Sequence, residues 1–236
     1  MTPAERKARS IRSFVRRRGR MTQSQKNAID RYWPAYGIDY GKTRLELPLE
    51  YRSVTLEIGI GNGDVLIQMA AADPSGLYLG IEVHEPGIGR SLNHVHQQQL
   101  SNVRLIKHDA IEVLQNMLSV ESCDRVLLFF PDPWPKKRHH KRRLVNQAFR
   151  DLVVHCLKPD GIVHIATDWQ DYAEWIAAQF LGDDRYINCG DADGYAPCPD
   201  YRPQTRFERR GRRLGHSVWD LVFAKKPGSS SPASRR

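Results

Sequence analysis

The sequence predicts an α/β fold, a doubly wound domain built on a mostly parallel, seven-stranded sheet with an antiparallel edge strand. Three observations predict it. Short β-branched runs alternate with longer amphipathic stretches, the pattern of strands joined by crossover helices. A glycine-rich turn follows the first of these runs. Acids close the successive runs, at the strand ends where such sheets bind their ligands.

In chain order, residues 1–44 have little periodicity and read as a basic arm followed by a loop, whose Tyr32-Trp33-Pro34-Ala35-Tyr36-Gly37 patch packs on the domain. Residues 45–226 form the domain itself, with strands expected at 53–58, 77–82, 103–107, 125–130 and 161–167. Helices fill the gaps, the clearest over 142–157. There Val145, Phe149, Val153 and Cys156 recur at helical spacing beside Leu144, Ala148 and Leu152, while Arg143, Asn146, Gln147 and Arg150 face away. A last strand over 218–224 follows a long irregular segment and is expected at a sheet edge. Residues 227–236, opening Pro227-Gly228-Ser229-Ser230, read as a frayed tail.

Composition narrows the function classes. A chain of 236 residues with 40% hydrophobic content can bury a full core, which excludes global disorder. No apolar run approaches the roughly 18 to 20 residues needed to span a bilayer. The Arg-rich first twenty residues lack the apolar stretch of a secretory signal, so a cytoplasmic protein without membrane contact is expected. Cys123, Cys156, Cys189 and Cys198 form no C-x-x-C pair, and neither a disulfide framework nor a metal is expected. The net charge of +9 is clustered: eight Lys or Arg in the first twenty residues, six between Lys136 and Arg143, five between Arg206 and Arg213. One such cluster is an ordinary solvated surface; three point to a polyanion, because cations on phosphates release counterions.

The first strand runs into Leu56-Glu57-Ile58-Gly59-Ile60-Gly61-Asn62-Gly63-Asp64. Gly59, Gly61 and Gly63 let the backbone turn sharply and approach a ligand. Gly63 comes one place too early for the dinucleotide pattern G-x-G-x-x-G, which disfavours a nicotinamide oxidoreductase. Glu57, just before the turn, would repel a pyrophosphate and suits the ammonium of a methionine moiety. Glu82, about twenty residues on, suits two ribose hydroxyls, and Asp109 can accept from an adenine amine. Each acid alone is equally an N-cap or a surface charge. Three ending successive strands fit S-adenosylmethionine, and here residues 53–224 resemble the class I methyltransferases, whose fold is Rossmann-like.

After the fourth strand comes Phe130-Pro131-Asp132-Pro133-Trp134-Pro135-Lys136-Lys137-Arg138-His139-His140-Lys141-Arg142-Arg143. The flanking prolines stiffen Asp132, Trp134 offers a face for a base, and a phosphate-binding run follows. This segment, with Thr167-Asp168-Trp169 and Thr205-Arg206-Phe207-Glu208, resembles the signature of the tRNA (guanine-46-N7)-methyltransferases, the bacterial TrmB family. The resemblance implies adenosylmethionine contacts at Glu57, Glu82, Asp109 and Asp132. It implies tRNA contacts at Lys136, Asp168 and Thr205, Arg206, Phe207 and Glu208, with Arg138, His139, His140, Lys141, Arg142 and Arg143 along the RNA.

The chemistry follows from the residues. Guanine N7 has a lone pair and no proton, so no general base is required, and His139 and His140 are expected to face solvent or RNA. Asp132, with Asp168 second, is expected to stabilise the positive charge that develops on the base. An amino methyltransferase and a non-catalytic RNA-binding protein are the remaining alternatives. The sequence leaves monomer and homodimer open.

Overall fold

The computed structural model describes Phe14, residues 20–204, Glu208 and residues 217–229. Thr205, Arg206, Phe207, most of the basic arm and the end of the tail lie outside the described residues. The strands are β1 (Gly37–Ile38), β2 (Ser53–Ile58), β3 (Gly76–Ile81), β4 (Val103–Ile106), β5 (Cys123–Phe129), β6 (Leu157–Thr167), β7 (Tyr186–Asn188) and β8 (Trp219–Lys225). The helices are α1 (Gln23–Tyr36), α2 (Asp64–Ala72), α3 (Glu85–Gln97), α4 (Ala110–Asn116), α5 (Gln147–Cys156) and α6 (Gln170–Leu181). Among the described residues the strands form one eight-stranded sheet in the order β1-β4-β3-β2-β5-β6-β8-β7. β1 to β6 run parallel, and β8 is antiparallel to both β6 and β7.

Both faces of the sheet are covered, which is why β2 and β3 are buried along nearly their whole length rather than on alternate residues. One apolar layer holds Leu114, Phe149, Val153, Tyr172 and Phe180 beneath α4, α5 and α6. The other holds Leu66, Ile67, Ile88 and Leu92 from α2 and α3. The βα turns therefore gather at one edge of the sheet, beyond the carboxyl ends of the parallel strands. No helix among the described residues is long and apolar enough to cross a membrane.

Three features differ from the sequence expectations. The supposed loop before residue 37 is helix α1. Thr22 and Gln25 cap it reciprocally, the Thr22 hydroxyl accepting from the Gln25 amide and the Gln25 side chain from the Thr22 amide. Only Ala28 of α1 is buried, so its apolar period is too thin to read; Tyr32 stacks on His96 of α3 at 4.0 Å. The helix expected over 142–157 begins only at Gln147, because Asn146 caps it through a hydrogen bond from the Phe149 amide. Lys137–Arg142 instead forms a 3-10 helix. Finally, the antiparallel strand β8 is not at the edge: β7, only three residues long, pairs with its outer side. The two-residue β1 adds to the opposite end, so the sheet has eight strands rather than seven.

The packing of α1 depends on Gly89, where a Cβ would lie 2.6 Å from the Gln25 carbonyl oxygen. Gly89→Ala should destabilise the protein by about 1–3 kcal/mol through overpacking and loosen α1 selectively. Hydrogen exchange should then accelerate in residues 23–36 while β2 and β5 stay protected; uniform loss of protection would contradict this docking.

Candidate active site

The carboxyl ends of β2 to β5 enclose a cleft of about 250 Å³ whose lining includes Gly59, Glu82, Asp109, Phe130, Asp132 and Leu144. The glycine-rich turn forms its rim. Gly59, Gly61 and Gly63 all have positive φ, and at Gly63 a Cβ would also stand 2.4 Å from the Ser91 hydroxyl. The Glu82 carboxylate ties this turn to the next: Oε2 accepts from the Gly61 amide at 2.8 Å, and Oε1 from the Val83 and His84 amides at 2.6 and 2.9 Å. Asp109 caps α4, Oδ1 accepting from the Ile111 amide at 3.0 Å, so its capping and cleft-lining roles coexist.

Glu57 differs from the other acids. It is buried beside α2 rather than among the residues lining the cleft, and its Oε2 has no hydrogen-bond partner. Burial, then the nearby charges of Glu82 and Asp64, push its carboxyl up to about 8, against the opposing hydrogen bond of the Leu66 amide.

Asp132 stands on a taut loop. Phe130 and Trp134, either side of the Pro131-Asp132-Pro133 triplet, have φ of 52° and 46°. Such conformations cost roughly 1–3 kcal/mol each and persist only when the surroundings fix them. Here the Phe130 amide donates to the Ala166 carbonyl at 2.7 Å, and Arg143 Nε donates to the Pro133 carbonyl at 3.0 Å. Asp132 is exposed, Asp168 half-buried just past the end of the adjacent β6, and neither carboxylate has a hydrogen-bond or ion-pair partner among the described residues. Two free carboxylates beside an acid-lined cleft suit cationic or N–H-bearing ligands.

The basic run divides. Lys136, Arg138 and Lys141 are exposed, while Arg142 sits over the Trp134 ring at 5.0 Å and His139 meets that ring edge-on. Partial desolvation and the cations Arg138, Arg142, Lys136 and Lys141 hold the His139 imidazole below its ordinary pKa. His140 turns onto Trp175, its Nε2 buried without a partner. Arg143 corrects the sequence reading of a surface phosphate contact. Its side chain is 1% exposed, paired with Asp171 and held between the Tyr172 and Trp175 rings at 5.0 and 5.2 Å. Glu208 is also buried, its carboxylate gripped by both Arg202 amino groups at 2.6 and 3.2 Å, so as it stands it offers no surface to a nucleic acid. Arg202 in turn bonds Asp220, which bonds His164, whose Nδ1 meets Tyr201.

Sequence reasoning missed Phe14 and His108, both lining the cleft. His108 stacks on Tyr40 at 3.6 Å. An apolar residue inside an Arg-rich arm and a histidine adjoining Asp109 were the available signals.

The chain matches the family described as "Putative methyltransferase" over residues 51–221. A tRNA (guanine-N(7)-)-methyltransferase of Yersinia pseudotuberculosis is 50% identical over 221 residues, covering 92% of each chain. One of Nitrosospira multiformis is 50% identical over 224 residues, 94% of this chain and 97% of its own. Among solved structures, an rRNA methylase from Streptococcus thermophilus gives a TM-score of 0.52 at 10% identity, over 88% of this chain and 99% of that one. TrmN from Thermus thermophilus gives 0.51 at 15% identity, over 74% and 44%. The structural likenesses concern the fold.

Glu57 makes stability depend on pH. The folded chain retains the Glu57 proton between the ordinary 4.5 and about 8, whereas the unfolded chain releases it, so this group's contribution falls as pH rises through that window. Glu57→Gln should therefore exceed the parent in stability at pH 8 to 9 by on the order of a few kcal/mol, with the gap closing toward pH 4.5. Denaturant titrations across that range read it; a gap independent of pH would rule out ionisation of this carboxyl.

Proposed function

The chain belongs to the tRNA (guanine-N(7)-)-methyltransferase family, and from that premise we propose that it transfers a methyl group from S-adenosylmethionine to N7 of guanine-46 in the variable loop of tRNA. The observation that carries the reading is the pair of unpartnered carboxylates, Asp132 and Asp168, beyond the ends of adjacent strands beside an acid-lined cleft and an exposed basic run. The work of such an enzyme lies in the cytoplasm.

The residues present fit adenosylmethionine: the buried Oε2 of Glu57 lacks a partner, and carboxylates recur around the cleft. Glu57, on giving up its proton, would take the ammonium, Glu82 the ribose hydroxyls and Asp109 the adenine amine, with Gly59, Gly61 and Gly63 letting the ligand come close to the backbone. When bound, this group supplies a methyl on a sulfonium sulfur, open to a lone pair. The protein has no proton to remove from guanine N7. Its task is to hold the base in line, and such positioning is worth roughly 7–11 kcal/mol. Asp132 and Asp168 would accept from the guanine amide and amine edge, and Asp132 would oppose the positive charge reaching the ring. Lys136, Arg138, His139, Lys141 and Arg142 would meet phosphates, while Arg143 sets the Asp132 loop from behind. Thr205, Arg206 and Phe207 are assigned to the RNA by resemblance.

Incubation with unmodified tRNA and methyl-labelled adenosylmethionine should place label in 7-methylguanosine of the variable loop; label elsewhere would overturn the base assignment. Asp132→Ala should bind tRNA near-normally and lose about 10²-fold or more in turnover, as removal of a charge-stabilising group does; full activity would remove Asp132 from the mechanism. Arg138→Ala should weaken tRNA binding and flatten its salt dependence by about one unit of slope. Arg143→Lys should leave that slope intact and lower turnover, and the reverse result would return Arg143 to the phosphate-binding run.

A further inference from the structure

Beyond Asp132 the same sheet edge carries a second groove, of about 540 Å³, on the far side of β6. Trp169, at the start of α6, and Trp219, at the start of β8, form its walls, with Asp168, Gln170, Glu174 and Ser217 around them. Thr167 and Trp219 are register partners, so both indoles stand at the carboxyl edge that carries the candidate active site.

The exposure of Trp169 is unusual in its place. The exposed large hydrophobic side chains among the described residues are Leu49, Val120, Trp169, Leu181 and Ile187. Leu49 and Val120 precede β2 and β5, Leu181 ends α6, and Ile187 pairs with Ala224 near the end of β8. All four lie toward the opposite edge of the sheet, leaving Trp169, 42% exposed, as the one at the ligand-binding edge. Neither Trp169 nor Trp219 has an aromatic or cationic partner among the described residues. Trp134, the aromatic that the sequence favours for stacking, differs: Arg142 already lies over its ring and His139 against its edge.

The polar groups of the groove select among ligands. Asp168, assigned above to the target guanine, borders the groove, Asp171 is paired with Arg143, and Glu174 accepts from the Gln170 side-chain amide at 3.0 Å. In a chain of net charge +9 this is an acidic spot, which repels phosphate but accepts from the amino and imino edge of a base. Indole faces stack on any base. We propose that the Trp169–Trp219 groove is a second nucleobase site, holding an unpaired base of the RNA that neighbours the modified guanine. The inference rests on the RNA-methylating reading above. Holding this neighbour would keep the target unstacked beside Asp132.

The test compares the parent, Trp169→Ala and Trp169→Phe on unmodified tRNA transcripts, including two with an abasic nucleotide immediately 5′ or 3′ of the target guanine. Trp169→Ala should raise KM for tRNA at least fivefold, with KM for adenosylmethionine and the melting temperature unchanged, and Trp169→Phe should recover most of the loss. One abasic transcript should raise KM for the parent by a similar factor and have no further effect on Trp169→Ala. Unaltered tRNA KM in Trp169→Ala would overturn the proposal, as would an abasic penalty equal in both proteins. If the parent forms no 7-methylguanosine, the underlying reading fails and this inference fails with it.

Discussion

Arg143 donates to the Pro133 carbonyl, pairs with Asp171 and lies between the rings of Tyr172 and Trp175, almost wholly out of water. Through these contacts one side chain links the Asp132 loop to α6, the helix that follows Asp168. A buried guanidinium is costly unless its partners are held in place. Here Tyr172 is core, and Trp175 is fixed by a hydrogen bond from its indole nitrogen to the Val145 carbonyl at 2.9 Å. The positive φ angles of Phe130 and Trp134 are held within this arrangement. The spacing of the two free carboxylates thus depends on a cation that touches neither of them.

The sheet edge itself carries a standing electrostatic tension. Glu57, Glu82 and Asp64 crowd the glycine turn, and only Glu82 is richly supplied with donors, from three backbone amides. Glu57 answers the tension by holding its proton. A cationic ligand would relieve it by neutralising the crowded carboxylates. The basic run lies farther along the same edge, so opposite potentials meet near Asp132, one suited to a cation and the other to phosphates.

Much of this was legible in the sequence. The strands from β2 to β6 and the acids at their ends could be read because buried parallel strands are continuous apolar runs and ligands gather at their carboxyl ends. What was illegible has physical causes. α1 buries almost nothing but Ala28, so its helicity comes from caps and from docking on α3. β7 is three residues long, too short for a pattern, and without it β8 looks like an edge. Arg143 is indistinguishable by sequence from the cations before it; its burial follows from tertiary neighbours, Tyr172 and Trp175, about thirty residues away. The same holds for Glu208, whose partner Arg202 carries no signal of its own.

The insertion of β8 between β6 and β7 affects how the protein emerges from the ribosome. A nascent chain that has reached only residue 216 holds β6 with one side unpaired, because its neighbour there is the strand of residues 219–225. That side is an open template for another chain. The buried Lys225, bonded to the Leu157 carbonyl and paired with Glu121, closes the sheet at the opposite end from the active site. A chain ending just before β8 would leave that side of β6 without its partner strand, so the last described strand closes the sheet there.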